Sequence, residues 1–486
     1  MEGLHDASPG GPYLETNTPY TRSQSVASFV FDVLQPPTAL GSGTDPPRSA
    51  RPPALGLSGT GTMSSGEFLS YVIISGGTGC NAICSAFGEN ACYVLPVSDN
   101  GGSSSEIIRV LAIKGDIRSR LLRLIPPASS DSPTERIRHL LSYRFPFEYT
   151  ERVAREAWRD IVEGRSSLWS GIPSDRKETI RGFLVYFDGE VLKRANKQFS
   201  FRNASIGNFF LTGAHLFFRS IPSAIFLMSS ITGSKADVLP VLVTNHTVTI
   251  AAKLKNGGTL VGQCEISHPP TSLVAPHMAP ISISTSRIHY PGGCSALSNI
   301  NYAKLEDHQY DPLDSPIERI FYINQYGQEV YPLPNPQFLK NLNSRFTLVY
   351  SCGSLFTSII PCLALRGVGP AIANSHTLRA KVLLLNGKND RETDGFTATD
   401  YIRAISKQLN FCQSPNPQMP MRETSYPVSA FITHLVYLKN SAVKVDRAEI
   451  TSLGVGCVEI EGVGQCFDAQ SVEEALGLIQ DSLPFC

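Results

Sequence analysis

Tyr71-Val72-Ile73-Ile74-Ser75-Gly76-Gly77-Thr78-Gly79-Cys80-Asn81-Ala82 decides how this chain is read. A short apolar run rich in β-branched residues predicts a strand buried on both faces. A turn of Ser, Gly and Thr follows it, and then helical periodicity begins, which is how a β-loop-α unit of a parallel sheet opens. The glycines permit positive φ and let a ligand approach the backbone where the next helix exposes free N–H groups, so Gly76, Gly77, Thr78 and Gly79 are candidate phosphate contacts. The segment 77–82 also satisfies G-x-G-x-x-A, and Asp99 falls about twenty residues on, where a dinucleotide fold places its ribose-binding acid. A phosphate turn, a dinucleotide site and a bare tight turn are all compatible with this stretch taken alone.

The same pattern recurs outward from it. Apolar runs at 92–97, 346–350 and 381–385 predict three more strands of a Rossmann-like, mostly parallel sheet with helices on both faces. The second run leads into Ser98-Asp99-Asn100-Gly101-Gly102-Ser103-Ser104-Ser105-Glu106, where Ser103 and Glu106 have capping-box spacing for the helix that follows. Two glycine-rich turns at the carboxyl edge of a parallel sheet suit a diphosphate or nucleotide conjugate, which makes Asp99, Asn100, Gly101, Gly102, Ser103 and Ser104 candidates. In Lys114-Gly115-Asp116-Ile117-Arg118-Ser119-Arg120, Asp116 can cap a helix, and Arg118 or Arg120 can face a phosphate or simply solvent. Asn208, in Ser205-Ile206-Gly207-Asn208, is polar among core residues and needs partners, from ligand or backbone. The third strand leads to Gly353-Ser354-Leu355-Phe356-Thr357-Ser358, a third expected anion site with Gly353, Ser354 and Thr357 as candidates. The fourth leads to the polar loop 386–400, which contains Asn386 and Asp394 and is too long and charged for a simple connection.

Around this core, residues 1–66 are dense in Pro, Gly, Ser and Thr, a composition expected to stay disordered, with an apolar island at 26–34 left unassigned. Residues 67–486 form the α/β domain. Within it, a charged stretch at about 126–200 reads as a helical insertion, and alternating segments around Asn256-Gly257-Gly258 predict an edge β-hairpin. The chain has 486 residues, of which 42% are hydrophobic and 17% charged, enough for a sizeable core. Lys+Arg and Asp+Glu both number 42, which removes the basic excess that would drive binding to nucleic acid. Eleven scattered cysteines without a C-x-x-C pair fit neither a disulfide framework nor a structural zinc site, and Cys80 and Cys84 read as small buried side chains. No signal sequence or membrane-length apolar run is legible, so the cytoplasm is the expected location, with no membrane partner. A homo-oligomer is compatible with the composition. His215 and His246 read as structural, and G-x-S-x-G and H-E-x-x-H are absent.

Taken together, the loops resemble the CofD/YvcK family, which includes 2-phospho-lactate transferases and gluconeogenesis-factor proteins that bind a UDP-sugar. The resemblance rests on Gly76-Gly77-Thr78-Gly79, Asp99-Asn100-Gly101-Gly102-Ser103-Ser104, Gly115-Asp116-Ile117-Arg118, Ser205-Ile206-Gly207-Asn208, Val238-Leu239-Pro240-Val241, Gly353-Ser354-Leu355-Phe356-Thr357-Ser358 and Glu392-Thr393-Asp394-Gly395-Phe396-Thr397-Ala398, in that order. It implies that the first two turns and the Gly-Ser-Leu turn hold a nucleotide diphosphate conjugate. In the transferase branch it also implies Mg²⁺. Three positions depart from the family pattern: Asn100 replaces an aspartate, Ala204 a histidine and Cys352 a proline. Asn cannot supply the anionic oxygen that Asp gives a hard cation, which leaves Asp99 as the candidate metal or ribose partner of that loop. Two classes are therefore expected, a nucleotide-sugar-binding regulator and a Mg²⁺-dependent transferase, and the insertion and long tail favour the regulator.

Overall fold

The computed structural model describes residues 70–76, 79–97, 115–193, 199–244, 248–267, 311–411 and 425–483. The tail 1–66, Gly77, Thr78, the turn 98–104 with Asp99, Asn100, Gly101, Gly102, Ser103 and Ser104, and His246 lie outside them. Among the described residues the strands are β1 (Tyr71–Ile74), β2 (Ala91–Leu95), β3 (Asp237–Pro240), β4 (Thr249–Leu254), β5 (Thr259–Val261), β6 (Ile317–Ile323), β7 (Glu329–Val330), β8 (Thr347–Tyr350), β9 (Ala380–Leu384), β10 (His434–Leu438) and β11 (Gly456–Ile460).

Seven of them make one sheet in the order β11-β10-β9-β8-β1-β2-β3, parallel throughout. β1 is central, with Tyr71 opposite Ala91 of β2 on one side and Thr347 of β8 on the other. Its alternate residues enter two cores: Tyr71 and Ile73 face one, Val72 and Ile74 the other. That explains a continuous apolar run where a half-exposed strand would alternate. From β1 the chain steps outward through β2 and β3, and from β8 it steps outward the opposite way through β9, β10 and β11. The direction reverses between β1 and β8, the kind of crevice where open α/β sheets bind ligands. Ser75-Gly76 and Ser351-Cys352-Gly353 leave the two strands there.

Helices used below are α1 (Gly115–Arg123), α2 (Pro133–Ser142), α3 (Glu151–Val162), α4 (Ser174–Leu192), α5 (Ile206–Phe218), α6 (Ile221–Thr232), α7 (Ala398–Phe411) and α8 (Ala469–Ser482). The helical insertion is α2 to α4. Ser132 and Thr150 start α2 and α3 by accepting the N–H of Glu135 and Val153. Trp158 holds the insertion to α5 within a ring cluster of Phe187, Phe201 and Phe209, and its Nε1 donates to Asp188 Oδ1 at 2.8 Å. Buried ring pairs of this kind are worth about 0.5–1.5 kcal/mol each beyond area burial.

The hairpin forms around Asn256-Gly257-Gly258 as β4 and β5, but as part of a second, antiparallel sheet of order β5-β4-β6-β7 rather than as an edge of the large one. The reason is burial: Ile250, Ala252, Ile320 and Tyr322 turn into the same core as Val72 and Ile74, so this sheet lies over a face of the large one. Among the described residues no helix is long and apolar enough to cross a membrane.

Candidate functional site

The β1 and β8 turns lie against each other. A Cβ on Gly76 would stand 2.3 Å from Ser358 Oγ, and one on Gly79 would stand 3.1 Å from the Cys352 carbonyl oxygen. Glycine at 76 is therefore needed for the close approach of the two turns, whatever it offers a ligand. Gly353 has φ of 145°, a conformation open to glycine alone. Asn386, at the end of β9, clamps it: its Oδ1 accepts the Gly353 N–H at 3.1 Å and its Nδ2 donates to the Gly353 carbonyl at 2.8 Å.

On the β2 side of this floor, three helices bring together Asn81, Arg118, Ser119, Ser205 and Asn208. Asn81, on the 3₁₀ helix Gly79–Phe87, donates from Nδ2 to Ser119 Oγ of α1 at 2.7 Å. Arg118, also on α1, donates from Nη1 to Ser205 Oγ at the start of α5, 2.8 Å away. The stem of Arg118 runs across Gly207, where a Cβ would come within 2.9 Å of Arg118 Cδ and 2.4 Å of the Leu141 carbonyl. Hence the Ser-Ile-Gly-Asn motif carries glycine next to its asparagine. Three buried polar atoms here have no partner among the described residues: Asn81 Oδ1, Arg118 Nε and Asn208 Oδ1. Arg118 makes no ion pair among the described residues, and burial first, then the like charge of Arg144, pulls its guanidinium down to about 10. A cation held this way favours an incoming anion. The amide oxygens of Asn81 and Asn208 are free among the described residues to accept from further donors.

The β8 turn is built differently. Glu392, 3% exposed, lays its carboxylate on it: Oε2 accepts the N–H groups of Phe356 (2.8 Å) and Thr357 (3.1 Å), and Oε1 accepts the hydroxyls of Thr357 and Ser267, both at 2.6 Å. Burial first, then Asp390, raises the Glu392 carboxyl to about 7, against the opposing pull of those donors. The third anion site expected from sequence is thus filled by the chain's own carboxylate, because Thr357 and its backbone meet Glu392 before any ligand. Ser354 begins the π-helical turn Leu355–Ile359, its carbonyl accepting the Ser358 N–H at 2.9 Å.

The loop 386–397 folds on itself: Asp390 Oδ1 accepts from the N–H of Glu392 and from the N–H and hydroxyl of Thr393. Tyr401 of α7 reaches Asn389 and Thr393, both at 3.0 Å. Asp394 stands exposed in the turn, and Asp116 is half-buried in the first turn of α1. So the structure brings Gly76, Gly79, Arg118, Asn208, Gly353, Ser354, Thr357 and Asn386 to one edge and assigns Thr357 and Asn386 to internal bonds, while Asp394 is solvent-exposed. Asn81, Ser119 and Ser205 were not singled out by sequence, although each lies inside or beside a quoted motif. Among the described residues no group of three or more His, Cys, Asp or Glu could hold a metal. Mg²⁺ would depend on Asp99, outside those residues, and on the phosphates of its ligand.

A parallel sheet with its candidate site at the strand-order reversal defines a Rossmann-like α/β protein. The family model for 2-phospho-L-lactate transferase CofD matches residues 71–461. The chain belongs to that family. An uncharacterized protein of Saccharomyces cerevisiae is 33% identical over 455 residues, covering 85% of this chain and 99% of its own length. A putative gluconeogenesis factor of Clostridium acetobutylicum is 25% identical over 395 residues, 80% of this chain and 63% of its own. One from Thermoanaerobacterium thermosulfurigenes is 23% identical over 416 residues, 80% of this chain and 96% of its own. A crystal structure of a Bacillus halodurans protein of the UPF0052 family superposes with a TM-score of 0.51 at 18% identity, covering 84% of this chain and 98% of that one, which shows the shared fold.

Proposed function

We propose that this chain binds a nucleotide diphosphate conjugate such as a UDP-sugar at the β1–β8 edge and acts as a regulator of carbon metabolism. The observation that carries the reading is Arg118, a half-buried arginine whose Nε is buried and which has no acidic partner among the described residues, together with the Asn81 and Asn208 amide oxygens, also buried without a partner among them. A ligand that completes this set must bring an anion for the arginine and hydrogen-bond donors for the amides. A diphosphate joined to ribose and sugar brings both. Gly76 and Gly79 keep the backbone clear of side chains beside it, and the relatives described as gluconeogenesis factors support the metabolic role. Binding to the folded state alone raises apparent stability by RT ln(1 + [L]/Kd). A thermal-shift screen of nucleotides and nucleotide-sugars, confirmed by calorimetry, should find a diphosphate conjugate that stabilises the protein where the free sugar does not. Equal shifts from sugar and conjugate would sink the reading.

The transferase reading is favoured by the description of the matching family model. Here a divalent cation supplies charge neutralisation at the phosphate bridge, and this chain's residues position the donor and exclude water. It is separated by Asp99→Asn, which keeps the side chain's shape and removes its charge. If Asp99 serves Mg²⁺, the substitution weakens nucleotide-sugar binding in Mg²⁺ and not in EDTA, and turnover falls with it. If Asp99 accepts from a ribose, the loss is the same in both.

A further inference from the structure

Two arginines meet at Ser205, and the proposed ligand site draws on only one of them. The Ser205 hydroxyl accepts Nη1 of Arg118 at 2.8 Å, and its backbone forms an antiparallel bridge with Arg144. The bridge is fixed on both sides: the Phe145 N–H reaches the Ala204 carbonyl at 2.9 Å, and the Ile206 N–H reaches the Tyr143 carbonyl at 3.1 Å. Residues opposite each other in an antiparallel pair put their side chains on one face, with Cβ atoms about 4.5–5.5 Å apart. Arg144 therefore stands on the face of Ser205 that carries Arg118. Its Nη1 donates to the Asn203 carbonyl and the residue is otherwise exposed, which leaves further N–H groups of the guanidinium fork for a ligand.

Charge makes this pairing informative. Arg138 and Arg155, on α2 and α3, each meet a glutamate. Arg118 and Arg144 meet no acid among the described residues, and after burial it is the like charge of Arg144 that pulls the Arg118 guanidinium down. Two cations side by side repel, and the repulsion is relieved when an anion joins them. An anion that answers both must itself present charge to two forks. Two linked phosphates do so, each arginine taking one in the bidentate way a guanidinium meets phosphate. A single phosphate occupies one fork.

We propose that Arg144 is a second anion contact of this site, and that with Arg118 it selects ligands carrying two linked phosphates over those carrying one. The inference rests on the nucleotide-conjugate reading for the identity of the ligand, but the arginine pair is testable with inorganic anions alone. Arg118 is the inner contact, half-buried beside the amide oxygens of Asn81 and Asn208, and Arg144 is the outer one, at the surface. A nucleoside monophosphate fills the first and leaves the second unused.

The experiment is calorimetric titration of the full chain with inorganic pyrophosphate and with inorganic phosphate, at one ionic strength and without added metal. The unmodified protein should bind pyrophosphate about tenfold or more tighter than phosphate, the gain from one further charge-assisted contact. Arg144→Gln should weaken pyrophosphate by about tenfold and phosphate by less than about threefold, so that the preference collapses. Arg118→Gln should weaken both. Arg202→Gln, which removes the same charge from a residue stacked on Phe147, should change neither. No pyrophosphate binding, an undiminished preference in Arg144→Gln, or an equal loss in Arg202→Gln would overturn the pair. Should Arg144→Gln fail to fold, the unmodified protein still decides: phenylglyoxal should modify Arg144 in mass-spectrometric mapping, and pyrophosphate should protect it where phosphate does not. Equal modification with and without pyrophosphate would reject the contact. UDP-glucose separates this failure from that of the function. An Arg144-dependent pyrophosphate preference without UDP-glucose binding leaves the anion pair standing and removes the nucleotide, whereas UDP-glucose bound equally by Arg144→Gln removes the pair alone.

Discussion

The turns after β1 and β8 read almost alike in sequence, each a buried strand followed by Gly, a hydroxyl residue and a helical segment, yet they end in opposite electrostatic states. The β8 turn is complete within the protein: its N–H groups and the Thr357 hydroxyl are met by Glu392, and Gly353 is met by Asn386. Beside the β1 turn, Arg118 Nε and the amide oxygens of Asn81 and Asn208 are buried without partners among the described residues. Buried polar groups left incomplete cost stability, so a fold that keeps them has another use for them. Glycine and hydroxyl content mark both turns as anion-binding in form. Only the distribution of acids around them separates the turn that is filled from the one left incomplete.

The largest way to break this contrast is Glu392→Ala, which strands donors at Phe356, Thr357 and Ser267. Denaturant unfolding should show a loss of about 3–5 kcal/mol, and a loss below about 1 kcal/mol would mean that the carboxylate does not hold the turn. Its titration adds a pH signature. The Glu392 carboxyl is raised from 4.5 to about 7, by burial first and then by Asp390, so the folded state tolerates its neutral form better than its charge. Its contribution is therefore fully present below about 4.5 and lost as pH rises through 7. Glu392→Gln should flatten that part of the stability-pH curve, and an unchanged slope would place the titration elsewhere.

Arg118→Met should do the reverse. Removing a half-buried charge that has no ion-pair partner among the described residues should leave ligand-free stability within about 1 kcal/mol of the original or raise it, while nucleotide-sugar affinity falls by about 10–100-fold, the worth of a charge-assisted bond pair. Calorimetry showing unchanged affinity would remove Arg118 from the site. Asn208→Ala should weaken binding by roughly 3–10-fold, one neutral hydrogen bond, with little change in Tm. Asp394→Asn, on an exposed turn, should change neither quantity, and any loss of affinity above experimental error would bring that loop into the site.

Much of the fold was legible. The strands near residues 71, 92, 347 and 381 agree with the structure to within one or two residues, because each is an apolar run buried on both faces. β10 and β11 were missed: His434 opens one, and Glu459 and the half-exposed Cys457 and Val458 interrupt the other, so neither shows a clean period. The helical insertion was visible in its periodicity, but the hairpin's place was not, since alternation tells which face is buried and not against what. In the site, Arg118 and Arg120 were indistinguishable as a pair of basic residues. Two positions apart on a helix, they point nearly opposite ways, one to Ser205 and the other to Cys84 and Tyr93. Glu392 stood inside a motif quoted for ligand binding, and its internal role depends on Ser267 and Thr357, remote in sequence.

The central place of β1 also bears on how the chain is made. Tyr71 leaves the ribosome before both of its neighbours and finds Ala91 soon after, but its other neighbour, Thr347, is synthesised much later. At about 5–20 residues per second, roughly 15–55 s pass before that strand arrives. Through that interval the nascent chain presents the open edge of a fully apolar strand, the feature that templates edge-to-edge aggregation. Slow-growing cells and chaperone-poor extracts should therefore differ in how much of this protein they yield in soluble form, through a cause that lies in strand order and not in final stability.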